Sequence, residues 1–224
     1  MSYIKFLKDE HDKVMQGGSY LFTRDKEIID LYDKSYTDED EKVITDLLPQ
    51  PICGDIRNAK IIICSLNPGL GDGDTELEDV GKTSAARLPY LKDEFLKQLN
   101  QEDSTNSFFW ITKKAKGTSG YRYWTLKFNQ NDPKASLVQA IKRGYAANGS
   151  TYTDEYIMNM LSKIVATMEL FPYHSVKMTG KMQGKLFGVP SVQGIRDYLL
   201  NDIIPNLKKN NQLLCMMRSF KAWA

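Results

Sequence analysis

The chain has 224 residues, of which 42% are hydrophobic and 26% charged. This length and composition predict a single globular domain. Residues 1–50 are expected to form a helical part packed on it. This composition excludes collagen-like and disordered chains, and no apolar run approaches the roughly 18 residues of a membrane span. Three scattered cysteines, two histidines and a first segment without a signal-peptide core predict a cytoplasmic protein with no disulfide framework, metal or cofactor.

Apolar spacing, capping residues and breakers predict the elements in chain order. Helices are expected over residues 3–15, 37–48, 88–99, 153–163 and 191–209, the last one divided at Pro205. Short apolar runs predict strands covered on both faces over residues 59–66, 164–171 and 212–217. Strands that alternate with helices favour a three-layer α/β/α sandwich with a central, mostly parallel sheet. In such sheets ligands bind beyond the carboxyl ends of the strands.

The first such end is followed by Asn67, Pro68, Gly69 and Leu70. Pro68 fixes φ and Gly69 relieves steric limits, so the chain can turn sharply over the sheet edge. The amide of Asn67 is then placed to position a water molecule or bind a polar ligand. A simple turn, with Asn67 bonded to its own backbone, accounts for the same pattern.

The second strand end carries Glu169, Tyr173 and His174. A carboxylate and an imidazole that titrates near neutral pH, both opening on one cleft, are typical of acid–base or binding sites. The alternatives are an ion pair between Glu169 and a basic residue, and a loop histidine with satisfied hydrogen bonds.

Aromatic and basic residues alternate in the middle of the chain. Lys113, Lys114 and Lys116 lie in a segment, residues 113–120, that reads as an exposed, flexible loop able to meet phosphates. One of the aromatic residues of 108–110, with Phe109 as the candidate, can stack on a base, or all three can fill a core. Trp124 is expected to pack in the core.

Charge is unevenly distributed along the chain. Residues 1–112 contain 13 basic and 22 acidic residues, whereas residues 113–224 contain 17 basic and 6 acidic residues. This asymmetry suits a basic face for phosphates, unless the two halves interleave and cancel. The chain ends at what reads as the first turn of a new helix, so we expect a C-terminal truncation.

The segment Ser65-Leu66-Asn67-Pro68-Gly69-Leu70 after a buried strand resembles the first active-site motif of the uracil-DNA glycosylase superfamily, in particular its mismatch-specific uracil/thymine branch. Three later segments resemble uncharacterised bacterial proteins of that superfamily. They are residues 169–175, the Pro190-Ser191-Val192-Gln193 element, and the terminal Arg218, Lys221 and Trp223. The resemblance covers roughly residues 50–223.

The resemblance implies a cleft that accepts a flipped base and cleaves its N-glycosidic bond. Asn67 would position the attacking water, Phe109 or a neighbour would stack on the base, and Glu169 would read the base edge. Pro68, Gly69, Leu70, Tyr173 and Ser191 would line the cleft, and Arg218 would join the three lysines on DNA phosphates.

Two departures from the superfamily pattern leave other functions open. The second active-site motif, which follows a further strand, is missing, and His174 would have to replace its histidine or asparagine from an earlier position. No cluster of four cysteines is present, which excludes the iron–sulfur branches. The alternatives are an inactive module of the same fold that binds nucleic acid or a nucleotide, and an unrelated small-molecule enzyme or interaction domain.

Overall fold

The computed structural model describes residues 2–18, 20–35, 41–45, 47–68, 92–101, 106–175, 177–217 and 220–223. Within these residues, the centre of the molecule is a mixed sheet of four strands: β1 (Ile52–Cys53), β2 (Ile61–Ser65), β3 (Val165–Glu169) and β4 (Leu213–Met216). The strand order is β1-β3-β2-β4. β2 runs parallel to both β3 and β4, and β1 is antiparallel to β3. The α/β class and the mostly parallel pairing follow the sequence prediction.

Both faces of the two central strands are buried. Side chains alternate along a strand, so β2 and β3 contribute to two apolar clusters. We call the side that carries Ile62 and Met168 the first face, and the side that carries Ile63 and Val165 the second face. The unalternating apolar runs of residues 59–66 and 164–171 therefore predicted these strands and their burial correctly.

Five helices cover the first face within the described residues: α1 (Tyr3–Met15), α2 (Lys26–Lys34), α3 (residues 92–99), α7 (Gly180–Leu186) and α8 (Pro190–Tyr198). α1 begins and ends where its apolar spacing predicts, with the Ser2 hydroxyl accepting from the amide of Lys5 at 3.3 Å. α3 agrees with the prediction for residues 88–99 over the part that is described.

The second face is covered by two 3₁₀ turns and three helices: Phe109–Ile111, Lys113–Ala115, α4 (Ser119–Phe128), α5 (Leu137–Ala146) and α6 (Asp154–Ser162). α6 confirms the helix predicted over residues 153–163, and the Thr153 hydroxyl caps it by accepting from the amide of Tyr156. Trp124 is buried in this layer, as expected.

The segment between α8 and β4 is divided, as Pro205 predicts. A π-helical turn (Leu199–Ile203), a 3₁₀ turn (Ile204–Asn206) and the short α9 (Leu207–Asn210) follow one another. Asn211, at φ 53°, then turns the chain into β4. A short helix, α10 (Phe220–Trp223), ends the described part of the chain.

Two local predictions are wrong. The described part of residues 37–48 contains no α-helix: Glu41 is in a 3₁₀ conformation, and Ile44 forms a bridge with His174, its amide donating to the His174 carbonyl at 2.9 Å. The apolar residues Val43 and Leu48 are instead buried in the apolar cluster of the first face. Residues 113–120 are not a loop throughout, because Ala115 is fully buried in a 3₁₀ turn and α4 begins at Ser119.

β4 differs from its prediction in burial only. The strand lies at the edge of the sheet, and its side chains are exposed or half-buried rather than covered on both faces. Among the described helices, none is long and apolar enough to cross a membrane.

Candidate functional site

The carboxyl ends of β2 and β3 lie side by side and carry two polar side chains. Ser65 and Glu169 are direct neighbours in the parallel register. The Ser65 hydroxyl donates a hydrogen bond to Oε2 of Glu169. This contact answers the question that the sequence left open: within the described residues Glu169 pairs with a hydroxyl group, and no basic side chain forms an ion pair with it.

Burial dominates the electrostatics of Glu169. The residue is 6% exposed. Loss of solvent disfavours the carboxylate and raises the pKa of Glu169 to about 7, although the hydrogen bond from Ser65 lowers it. At neutral pH the group is therefore present in both forms, and it can either accept a proton or donate a hydrogen bond.

Asn67 follows β2 two residues after Ser65. Its side-chain Nδ2 donates to Oγ of Ser175 at 3.0 Å. Ser175 is fully buried, whereas Asn67 is half-buried, so the amide is held by the interior and remains accessible. The alternative in which Asn67 only bonds its own backbone is not what the structure has.

His174 lies at the same end of the sheet but is enclosed. It is 4% exposed, and its ring stacks on Phe95 of α3 with centroids 5.9 Å apart. Among the described residues, neither ring nitrogen has a hydrogen-bond partner of normal geometry. Burial lowers the pKa of His174 to about 4, against the weaker, opposite influence of the Leu48 and Pro68 carbonyls. The expectation that His174 titrates near neutral pH is therefore wrong.

The aromatic residues 108–110 divide between core and surface. Phe108 and Phe109 are buried in the apolar cluster of the second face. Trp110 is half-buried and touches the clusters of both faces, and Phe95 packs against its edge at 5.8 Å. Of these three candidates for stacking on a base, Trp110 is the one that is not fully buried, whereas Phe109, which the sequence suggested, is 1% exposed.

Tyr173 and Ser191 meet each other through Asp25 rather than at the cleft. The Tyr173 hydroxyl donates to Oδ2 of Asp25 at 2.8 Å, and the Ser191 amide donates to Oδ1 at 3.0 Å. The Tyr173 oxygen also accepts from the Phe22 amide at 3.1 Å. These hydrogen bonds, from the Tyr173 side chain and the Ser191 backbone, join the start of α2, the end of β3 and α8. All three polar residues are buried, so their side chains offer no surface to a ligand.

The three lysines lie along a groove on the second face. This groove, of about 1120 Å³, lies between the 3₁₀ turns, α4 and α6. Lys113 pairs with Glu155 at 2.5 Å, and Lys114 pairs with Glu94 at 2.9 Å. Lys116 is exposed and forms no ion pair within the described residues. Acidic residues thus compete with phosphates for two of the three lysines.

Gly69, Leu70 and Arg218 lie outside the described residues. In the described part of the chain, no three His, Cys, Asp or Glu side chains come together as a metal ion would need.

Sequence reasoning missed Ser175 and Phe95, the residues that hold Asn67 and His174. Ser175 is the last residue of the segment 169–175 that follows β3, but no local pattern connects α3 to the strand ends.

A comparison of the chain with family models, curated proteins and solved structures found no significant match.

Proposed function

We propose that the protein is a uracil-DNA glycosylase-like enzyme that hydrolyses the N-glycosidic bond of a base flipped out of DNA. The observation that carries the proposal is the accessible Asn67 amide, which Ser175 holds beside the buried Ser65–Glu169 pair. This arrangement sits at the carboxyl ends of adjacent parallel strands, where α/β sheets bind ligands. The resemblance of residues 65–70 to the superfamily motif supports the same assignment.

Each group has a defined role in the proposed reaction. The carbonyl oxygen of Asn67 accepts a hydrogen bond from a water molecule, which attacks the sugar C1′. The bond from C1′ to the base nitrogen breaks, its electron pair leaves with the base, and the proton of the water passes to solvent. The protonated form of Glu169 donates a hydrogen bond to a carbonyl oxygen of the base, where negative charge develops. Trp110 offers the stacking surface.

Single-turnover base release tests this proposal. With enzyme in excess, labelled single-stranded and duplex oligonucleotides containing uracil, or thymine opposite guanine, should release free base. Asn67→Ala should slow release about a hundredfold or more, since the water loses its orienting group. Ser175→Ala should slow it less, because the amide remains but is no longer held.

Asn206→Ala is the matched control. Asn206 is also half-buried and also donates one side-chain hydrogen bond, at 2.8 Å to the Asp202 carbonyl, but it precedes β4 at the opposite end of the sheet. Its rate should equal that of the wild type. Equal rates for Asn67→Ala and the wild type would remove Asn67 from the mechanism, and no release from any substrate would refute the glycosylase.

The burial of the titratable groups favours a second candidate, a module that binds a base or nucleotide without cleaving it. Glu169 and His174 are almost fully enclosed, so Asn67 and Trp110 are the accessible parts of the described site. This candidate predicts that uracil-containing DNA binds and is recovered intact, and that Asn67→Ala weakens binding.

A further inference from the structure

Among the described residues, the outer edge of β4 has hydrogen-bonding groups that no other residue uses. The amides of Leu213 and Met217 donate to Lys60 and Cys64, both at 2.8 Å, on the side of β2. Because alternate residues of a parallel strand bond to one neighbour, the peptide groups of Leu214 and Met216 face the other way. No described residue pairs with them.

Two features that normally prevent strand pairing, charge and proline, are absent from the sequence of this strand. Residues 212–217 contain no charge and no proline. Leu213 is 59% exposed, and the other apolar side chains of β4 are half-buried. Leu200 and Ile204, which lie four residues apart on the segment that leads to β4, are also exposed.

We propose that β4 is a homodimer interface, at which two copies of the chain pair antiparallel about a two-fold axis through Cys215. Leu214 of each copy then lies opposite Met216 of the other, and their open amides and carbonyls exchange four hydrogen bonds. Leu213 of each copy covers Met217 of the other on the second face. The two sheets join into one of eight strands.

The strand is complementary to itself in this register, which is why a second copy is the occupant. The residues with open peptide groups, Leu214 and Met216, flank Cys215 symmetrically, so the two-fold axis matches every donor with an acceptor and leaves no residue over. The paired side chains are apolar on both faces.

The register also places the two Cys215 residues opposite each other. In such a non-hydrogen-bonded antiparallel pair the Cα atoms are about 4.5 Å apart, which is within the range of a disulfide. Cys53 and Cys64 are buried, and Cys215 is the partly exposed cysteine of the chain. A cross-link between copies therefore reports this register specifically.

Sedimentation equilibrium and mild oxidation test the proposal. A pairing of two four-residue strands is small beside stable interfaces of about 1,200–2,000 Å². We therefore expect a weak dimer that forms as the protein concentration rises. Diamide, which accepts the two electrons of disulfide formation, should convert it into a covalent dimer. Cys215→Ser should abolish the covalent dimer and leave the reversible one.

Leu213→Lys places a charge at the edge and should lower the dimer population at least tenfold and suppress cross-linking. Leu126→Lys is the matched control, because Leu126 on α4 is 60% exposed and far from β4 in the chain, and it should leave both unchanged. If Leu213→Lys fails to fold, the wild type and Cys215→Ser still decide the matter. A monomer at all concentrations, a Cys215 thiol protected from alkylation at concentrations where the protein is monomeric, or cross-linking that survives Leu213→Lys would overturn the proposal.

Discussion

Glu169 and His174 share one end of the sheet, yet burial moves their pKa values in opposite directions. The pKa of Glu169 rises from its usual 4.5 to about 7, and that of His174 falls from 6.5 to about 4. In both residues burial favours the neutral form. Both neutral groups can be present together near pH 6, where the enclosed end of the sheet carries least charge.

The two residues should therefore affect stability with opposite dependence on pH. Glu169 binds its proton more tightly when folded, so its contribution is complete below pH 4.5 and is lost as pH rises towards 7. His174 binds its proton less tightly when folded, so its contribution is present above pH 6.5 and is lost as pH falls towards 4. Between these values the two effects partly cancel.

Urea unfolding at pH 5 and pH 8 separates them. Glu169→Gln keeps the shape and the acceptor for Ser65 but does not titrate, so it should lose less stability between pH 5 and pH 8 than the wild type. His174→Phe keeps an aromatic ring against Phe95 but cannot bind a proton. Its free energy of unfolding should therefore rise relative to that of the wild type when the pH is lowered from 8 to 5. An identical pH dependence in Glu169→Gln and the wild type would contradict the raised pKa.

At the scale of elements, prediction succeeded where a pattern is local. The apolar runs of β2 and β3 and the capped amphipathic pattern of α1 are complete within a few residues, and these elements were predicted closely. β1 is two residues long, and it is a strand only because it pairs antiparallel with β3, more than 110 residues away in the chain. No local sequence pattern predicts it. α4 was missed because its first turn contains Gly120, which normally indicates a loop.

Gly120 is explained by a contact from outside its helix. A Cβ atom at this position would lie 2.6 Å from Cζ3 of Trp110, the half-buried aromatic residue of the candidate site. We expect Gly120→Ala to destabilise the protein by about 1–3 kcal/mol and to displace the Trp110 ring. Chemical unfolding gives the first quantity, and tryptophan fluorescence reports the second.

Gly144 is the control for this effect. It lies inside α5, and nothing is within 4 Å of the position its Cβ would take. Gly144→Ala should stabilise the protein by about 0.5–1 kcal/mol through helix propensity alone. If both variants were stabilised, the contact with Trp110 would not be what requires glycine at position 120.

At the scale of the whole molecule, the candidate site was predicted in part. Asn67 and Glu169 lie at strand ends that the sequence marks, and parallel pairing brings those ends together. Tyr173 and Ser191 instead donate hydrogen bonds to Asp25, which is 148 and 166 residues away from them in the chain. A sequence shows which residues can form hydrogen bonds, but the fold decides which buried acceptor they reach.

Charge is also segregated on this scale. Residues 113–163, which form α4 to α6 and the turns before them, contain nine basic and three acidic residues. They lie on the second face, so nine basic residues against three acidic ones give that layer a net charge of +6. Because of this segregation, we expect the layer to attract polyanions as a unit even though Lys113 and Lys114 are paired.

Binding of single-stranded DNA, measured by fluorescence anisotropy over a range of salt concentrations, tests which lysines matter. Lys116→Ala removes a positive charge that no described acid neutralises, so it should weaken binding about fivefold at 0.1 M salt and reduce the salt slope by about 0.7. The double variant Lys113→Ala/Glu155→Ala removes an ion pair and leaves the net charge unchanged. Its affinity should stay within twofold of the wild type. Binding that is insensitive to salt, or an equal loss in both variants, would show that charge on this layer does not guide DNA.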